Sequence, residues 1–369
     1  MHPIPCSGAV VWASKRPSAR ARGAELQSPS LQPPPGNVSD GTHASVGRPE
    51  RKPLSDGNSP DGTGTERERL PRLLPVAAWA SFVLNVLIIG TGGAVRLSGS
   101  GLGCSDWPLC TPESLFPTPE QSYHSLIEFG NRTISGPILL AAVIVWILSW
   151  RLRRERRDLP VLASLVLGGV LLQALIGGIV VWMHLNANLV GVHYFLSVVL
   201  VCLTAAFLAR MREEPGPRIR SAPKPFVILT HATSAVLAVT VIFGILTTGA
   251  GPHSGDVGIE RDGFDATLLS HIHAWPGYLF AALILVLLVW AARARLRPLP
   301  WLVALLCVTV VQIVVGVWQA RDGLPEILVG IHMVLAAINA AAMTVVILRL
   351  KRPAPAPAPA QPSPIPHTT

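Results

Sequence analysis

The stretch Gln173-Ala174-Leu175-Ile176-Gly177, running on to Leu189-Val190-Gly191-Val192-His193, has a second copy later in the chain. That copy is Gln312-Ile313-Val314-Val315-Gly316, running on to Leu328-Val329-Gly330-Ile331-His332. The offset is constant: 312 − 173 = 139 and 332 − 193 = 139. The first copy lies inside residues 159–209, which hold no Asp, Glu, Lys or Arg. An uncharged run of that length makes two membrane spans with a polar turn at His184-Leu185-Asn186-Ala187-Asn188 between them. An ionisable group inside lipid is expensive and usually functional. An imidazole placed twice, in register, therefore reads as a built feature of a duplicated membrane bundle.

Working outward, the same pattern extends over most of the chain. Half of the 369 residues are apolar and only 14% are charged. The apolar residues are concentrated in uncharged windows at 73–95, 133–150, 159–209, 225–255, 266–292, 298–320 and 327–348. A bilayer core takes about 20 apolar residues per helix, so these windows give eight spans. Helices satisfy every backbone polar group within the segment, as lipid demands. The predicted fold is an all-α integral membrane protein, with eight transmembrane helices arranged as two tandem, pseudo-symmetric four-helix bundles.

Charge sets the orientation. Arg151, Arg153, Arg154, Arg156 and Arg157 follow span 2; Arg210, Arg212, Arg218, Arg220 and Lys224 lie between spans 4 and 5. Arg293, Arg295 and Arg297 follow span 6, and Arg349, Lys351 and Arg352 follow span 8. The alternate loops are acidic instead, with Asp106, Glu113, Glu120, Asp256, Glu260, Asp262 and Asp265. The positive-inside rule then predicts both termini in the cytoplasm. The net charge of +9 is a topology signal, and no basic face interleaved with aromatics points to nucleic acid.

Five regions follow. Residues 1–70 are rich in Pro, Ser, Gly and Arg without hydrophobic period, and read as a disordered cytoplasmic arm. Residues 71–212 form the N-terminal four-helix half, 213–225 a cytoplasmic linker, and 226–350 the C-terminal half. Residues 351–369 read as a disordered Pro/Ala tail.

Of five cysteines, Cys6 lies in the arm, and Cys202 and Cys307 lie within spans as apolar fillers. Cys104 and Cys110 flank Ser105-Asp106-Trp107-Pro108-Leu109 in the first outside loop, where an oxidising compartment sustains a disulfide. Structural and redox-active roles both stay open. At the start of span 2, Glu128, Asn131 and Arg132 share one helical side at i, i+3 and i+4. A carboxylate there has two readings, a catalytic or ligating group and an interfacial salt bridge.

Imidazole is a common iron ligand, and two on different helices can hold a planar haem edge-on between them. His273 on span 6 and His332 on span 8 supply such a pair in the second half. The first half offers His193 on span 4, and its partner on span 2 falls near Asn131, a poor iron ligand. The predicted result is one closed site and one open site. His271 points away from His273, and His184, His253, His231 and His124 are expected to be solvated, His124 close enough to the site to bear on it.

The stretch Thr91-Gly92-Gly93-Ala94-Val95-Arg96-Leu97-Ser98-Gly99-Ser100-Gly101-Leu102-Gly103-Cys104, with Asp106-Trp107-Pro108-Leu109-Cys110 after it, closely resembles haem A synthase. So do Ile127-Glu128-Phe129-Gly130-Asn131-Arg132, the Gln173-to-His193 block, Thr248-Gly249-Ala250-Gly251-Pro252-His253-Ser254-Gly255-Asp256 and the Gln312-to-His332 block. The resemblance spans roughly residues 73–349 in the same order. It implies oxidation of the C8 methyl of haem O to the formyl of haem A, for terminal oxidase assembly. It also implies a haem b cofactor on His273 and His332, a substrate haem ligand at His193, catalysis by Glu128 and a loop disulfide of Cys104 with Cys110. Many members carry histidine where Asn131 stands; His124, a water or five-coordinate iron would fill that role here. A second cysteine pair that some members have between spans 5 and 6 is missing.

The implied setting is a bacterial plasma membrane, with haem O as substrate and membrane lipid around the bundle. Haem O synthase and an electron donor are the implied partners, and homo-oligomerisation is left open. Three other readings compete: a b-type cytochrome that only passes electrons, a haem carrier or assembly factor without catalysis, and a transporter. The four-span repeat argues against the last, because it leaves both halves in the same orientation.

Overall fold

A computed structural model describes residues 71–251 and 263–354. The arm, Cys6, His253, Asp256, Glu260 and Asp262 lie outside the described residues. Within them the chain forms helices α1 (Leu73–Leu97), α2 (Tyr123–Arg151), α3 (Asp158–Trp182), α4 (Ala187–Met211), α5 (Lys224–Ala250), α6 (Ala266–Arg293), α7 (Leu299–Arg321) and α8 (Glu326–Leu348). Two short strands, β1 (Arg218–Arg220) and β2 (Lys351–Pro353), complete it. All eight helices are long and apolar enough to cross a membrane. The shortest have 23 residues, or about 35 Å at 1.5 Å per residue, against a hydrocarbon core of about 30 Å. The protein is thus an all-α, multi-pass membrane protein, as its uncharged windows predict.

Local chemistry sets the helix ends. The polar turn after α3 stops at Asn186, whose side chain accepts from the Asn188 and Leu189 amides and caps α4. Asp265 caps α6 in the same way through Thr267 and Leu268. Pro225 and Pro300 stand in the first turns of α5 and α7, where a missing N–H costs nothing. Helix α2 starts ten residues before the uncharged window at 133, and so takes Glu128 and Arg132 into the helix. It tolerates them because they pair with each other at i, i+4.

Helices pack in sequence neighbours, α1 on α2, α3 on α4, α5 on α6 and α7 on α8. Across the middle, α4 and α1 both pack on α8. Half of the α4 span is buried, against 17% of α6, so α4 is the more central helix. The seam joins Val198, Val201, Ala205 and Ala209 of α4 to Ala337, Ala341 and Val345 of α8, with Ile89 of α1. Small residues let the backbones approach where lipid gives no hydrophobic drive between helices. Large apolar side chains such as Leu87, Leu171, Val286 and Ile327 face outward, as a lipid-facing surface requires.

The arginine-rich end is tied rather than loose. Glu213 is buried and pairs with Arg349 at 2.9 Å, Arg210 at 3.1 Å and Arg218. Arg156 donates to the carbonyls of Arg210 and Glu213 and pairs with Asp158. Strands β1 and β2 run antiparallel, with Ile219 opposite Arg352. The segment after α4 is anchored through Glu213 and Arg218, and Lys351–Pro353 is paired as β2. The reason is electrostatic: a buried carboxylate gathers arginines from both sides of the linker and from the end of α8.

Candidate functional site

In the second half, α6 and α8 bring His273 and His332 face to edge, ring centres 6.0 Å apart with an interplanar angle of 74°. The His273 Nδ1 lies 2.9 Å from the Thr240 carbonyl of α5, which leaves Nε2 as its metal-binding nitrogen. Glycines make the slots for both rings. A Cβ on Gly244 would come within 2.8 Å of His273 Cε1, and one on Gly316 within 2.8 Å of His332 Cε1. The cavity they border is also walled by Thr309, Asn339, Tyr194 and Arg96.

These residues fit a bis-imidazole haem. A metal–imidazole bond is about 2 Å, so two rings sharing one iron have centres about 6 Å apart. Among the described residues no group of three or more His, Cys, Asp or Glu stands ready for a bare metal ion. Two imidazoles alone suit an iron that arrives with four nitrogens of its own, as in a tetrapyrrole.

In the first half, His193 on α4 has one such neighbour slot, and among the described residues no ring contact joins it to a second imidazole. A Cβ on Gly177 of α3 would meet its Cε1 at 3.4 Å. Gln173 Nε2 donates to the His193 carbonyl at 2.9 Å, as Gln312 does to that of His332 at 3.2 Å. Asn131 accepts from Thr91 Oγ1 at 2.8 Å and lies beside Gly92 of α1. A glycine of the preceding helix thus abuts Asn131 on α2 as Gly244 abuts His273 on α6. By offset alone, 273 − 139 = 134, the counterpart of His273 is Ile134, one turn further on. The packing singles out Asn131 instead.

The loop between α1 and α2 builds the rest. Cys104 and Cys110 are bonded, with an S–S distance of 1.99 Å. Glu128 is only 4% exposed; its Oε2 accepts from the Cys104 amide at 2.7 Å and its Oε1 from Arg132 at 2.5 Å. Arg132 also donates to the carbonyls of Cys104, Asp106 and Leu109, pinning the loop to α2. From the loop tip, Trp107 packs edge-on to Trp182 and sits against Gly178, next to the glycine that makes room for His193. One chain of contacts therefore runs from Glu128 through the disulfide loop to the His193 slot. At the other end of Glu128's helix turn, Gly103 touches the His124 backbone so closely that a Cβ would stand 2.5 Å away.

His124 itself is half-buried, not solvated as its position suggested, because its Nδ1 meets Ser100 Oγ at 2.8 Å. His271 is exposed and turned to the Thr267 carbonyl, away from His273 as their spacing predicts. His184 and His231 are exposed. Sequence reading missed two participants. Arg96, from α1, reaches across to the Thr248 carbonyl and lines the second-half cavity. Tyr194, next to His193, donates to the Met333 carbonyl, next to His332, at 2.8 Å. Both act across the seam between halves, which no local motif encodes; only the 139-residue register relating 194 to 333 hinted at the second.

Known proteins resemble parts of this chain. A family model described as cytochrome oxidase assembly protein matches residues 76–253. The heme A synthase of Halalkalibacterium halodurans is 25% identical over 287 residues, covering 74% of this chain and 93% of that protein. That of Staphylococcus saprophyticus is 30% identical over 178 residues, 46% of this chain and 57% of its own length. That of Bacillus cereus is 36% identical over 119 residues, 31% of this chain and 37% of its own. The matched stretch is thus under two thirds of the Staphylococcus and Bacillus relatives and nearly the whole of the Halalkalibacterium one. The chain is therefore similar to heme A synthases over much of its length, most fully to the Halalkalibacterium one.

Proposed function

We infer that the protein oxidises the C8 methyl of haem O to a formyl group, giving haem A by two hydroxylations and loss of water. The observation that carries this is the inequality of the two histidine sites. His273 and His332 face each other across one cavity, whereas His193 stands alone beside a loop that ends on a buried carboxylate. A site with both axial positions filled suits electron transfer; one with a free position suits a substrate that must enter, react and leave.

In this reading His273 and His332 hold haem b and His193 holds the substrate haem. Haem b, when bound, supplies a one-electron redox centre. His193 fixes the substrate iron from one side, and the Gly177 slot sets where that ring lies. Glu128 accepts the proton of one hydroxyl as the doubly hydroxylated carbon forms C=O and returns it to the other, which leaves as water, with Arg132 and the Cys104 amide steadying the carboxylate. The disulfide keeps the Cys104 amide aimed at that carboxylate. The basic connections put both termini in the cytoplasm, and hence the disulfide loop on the oxidising face of a bacterial plasma membrane. Haem O synthase upstream and an electron partner complete the setting.

The test is co-expression with a haem O synthase in a host that makes haem O but no haem A. Extracted haems are separated by chromatography and identified by mass. Haem A or its hydroxymethyl precursor, absent with Glu128→Ala, supports the reading. Bound haem b with haem O left untouched would replace it with an electron carrier or haem carrier.

A further inference from the structure

The Gln–Gly–His spacing that repeats at an offset of 139 is only partly used by ligation. The histidines face the haem sites and the glycines make room for the rings, but the glutamines have no task yet. In both halves the glutamine Nε2 is tied to the histidine's own carbonyl, at 2.9 Å for Gln173 and 3.2 Å for Gln312. In both halves its Oε1 is buried with no hydrogen-bond partner among the described residues, and so is the Nδ1 of the same histidine. An unpaired acceptor and an unpaired ring nitrogen thus belong to the same glutamine–histidine pair twice, at the same register. Leaving either unpaired in an apolar interior is costly.

Geometry says which way the ring nitrogen faces. Gly316 is one turn beyond Gln312 on α7, and a Cβ there would stand 3.3 Å from His332 Nδ1. That nitrogen therefore lies against the helix that carries Gln312. His273 meets the same need through the Thr240 carbonyl, and the Gln312 backbone carbonyl takes the corresponding place beside His332.

We propose that Gln173 and Gln312 are positioning residues for the axial histidines: in the haem-loaded protein each Oε1 accepts from the Nδ1–H of His193 or His332. The Nε2 bond to the backbone carbonyl fixes the amide so that Oε1 is the end presented to the ring. An acceptor on Nδ1 selects the tautomer that offers Nε2 to iron and makes that nitrogen a stronger donor. Partners of this kind are worth about 10–100-fold in metal affinity. The proposal rests on the haem reading of the two sites given above.

The test uses the full-length protein in detergent, reconstituted with ferric haem b. Haem affinity and midpoint potential are measured for wild type, Gln312→Leu, Gln312→Glu and Gln173→Leu. Gln312→Leu removes both bonds; affinity is expected to fall at least tenfold and the potential to rise, since a weaker donor favours ferrous iron. Gln312→Glu keeps an acceptor but loses the donor to the His332 carbonyl. It is expected to recover the affinity and bring the potential to or below wild type, while Gln173→Leu leaves this haem's potential unchanged. If Gln312→Glu behaves like Gln312→Leu, the backbone bond is what matters and the proposal falls. It falls equally if neither substitution moves the potential. A wild-type protein that takes up no haem b overturns the haem reading itself, a separate and recognisable failure.

Discussion

The two halves place a histidine in the same frame and finish the site differently. In both, a glutamine on the preceding helix bonds the histidine's carbonyl, and a glycine one turn on makes room for its ring. In the second half a helix two places earlier adds His273, and the pair faces across a cavity. In the first half that place holds Asn131, bonded to Thr91, and the loop, through the Cys104 amide and Arg132, fastens the buried carboxylate of Glu128. The same glutamine–glycine–histidine frame can thus be completed in two ways by a single position and a single loop, which is what the proposed division of roles rests on.

The largest expected effect breaks the comparison outright. His332→Ala should remove the resident haem, so that the purified protein loses its b-type absorbance and with it all product. His193→Ala should keep that absorbance while product disappears. Haem content by pyridine haemochrome, read beside haem A yield, separates the two; equal losses of resident haem in both variants would end the division of labour. Next comes Glu128→Gln. General acid–base groups contribute about 10²–10⁴-fold, and a loss of that size is expected with resident haem unaltered. A loss that tracks thermal unfolding instead would make the carboxylate a fastening for the loop.

The eight spans and the two repeated histidines were legible because each depends on local sequence. Charge-free runs set by bilayer thickness need no tertiary knowledge, and the 139-residue register survives in the pentapeptides ending at His193 and His332. The disulfide was legible from loop position and spacing. Glu128 and Arg132 were legible at the start of span 2, but the beginning of α2 at Tyr123 was not, because no charge-free window marks it. Nor was β2, which pairs with β1 across more than a hundred residues beside an ion pair of Glu213 with Arg349, 136 residues away. Arg96 and Tyr194 were invisible for the same reason. They work on the other half, and periodicity within a helix says nothing about which helix lies opposite.

A smaller effect sharpens the comparison by making the halves alike. Asn131→His restores a second imidazole beside the Gly92 slot. The substrate haem is then expected to become low-spin, with both axial positions filled, and turnover to fall about tenfold, or about 1.4 kcal/mol in the barrier. Asn131→Ala should stay close to wild type in turnover, since the asparagine's recorded partner is Thr91. Visible and EPR spectra of the haem O-loaded protein read the spin state directly. A high-spin signal that persists in Asn131→His would show that the two α2 and α6 positions are not equivalent.

The smallest effect tests the scaffold that the halves share. A Cβ on Gly316 would stand 2.8 Å from His332 Cε1, whereas one on Gly177 would stand 3.4 Å from His193 Cε1. The first is an overlap and the second ordinary contact. Overpacking typically costs about 1–3 kcal/mol, while alanine in place of glycine inside a helix gains up to about 1 kcal/mol. The two terms oppose each other, and the clearance decides the sign. Gly316→Ala should therefore lower the melting temperature and loosen the resident haem. Gly177→Ala should leave stability unchanged or slightly raised. Thermal unfolding of each variant in detergent reads that difference in sign, and matching shifts would mean that the two ring slots are equally tight. The closed site would then owe its tighter hold on haem to His273 alone, with no contribution from a narrower slot.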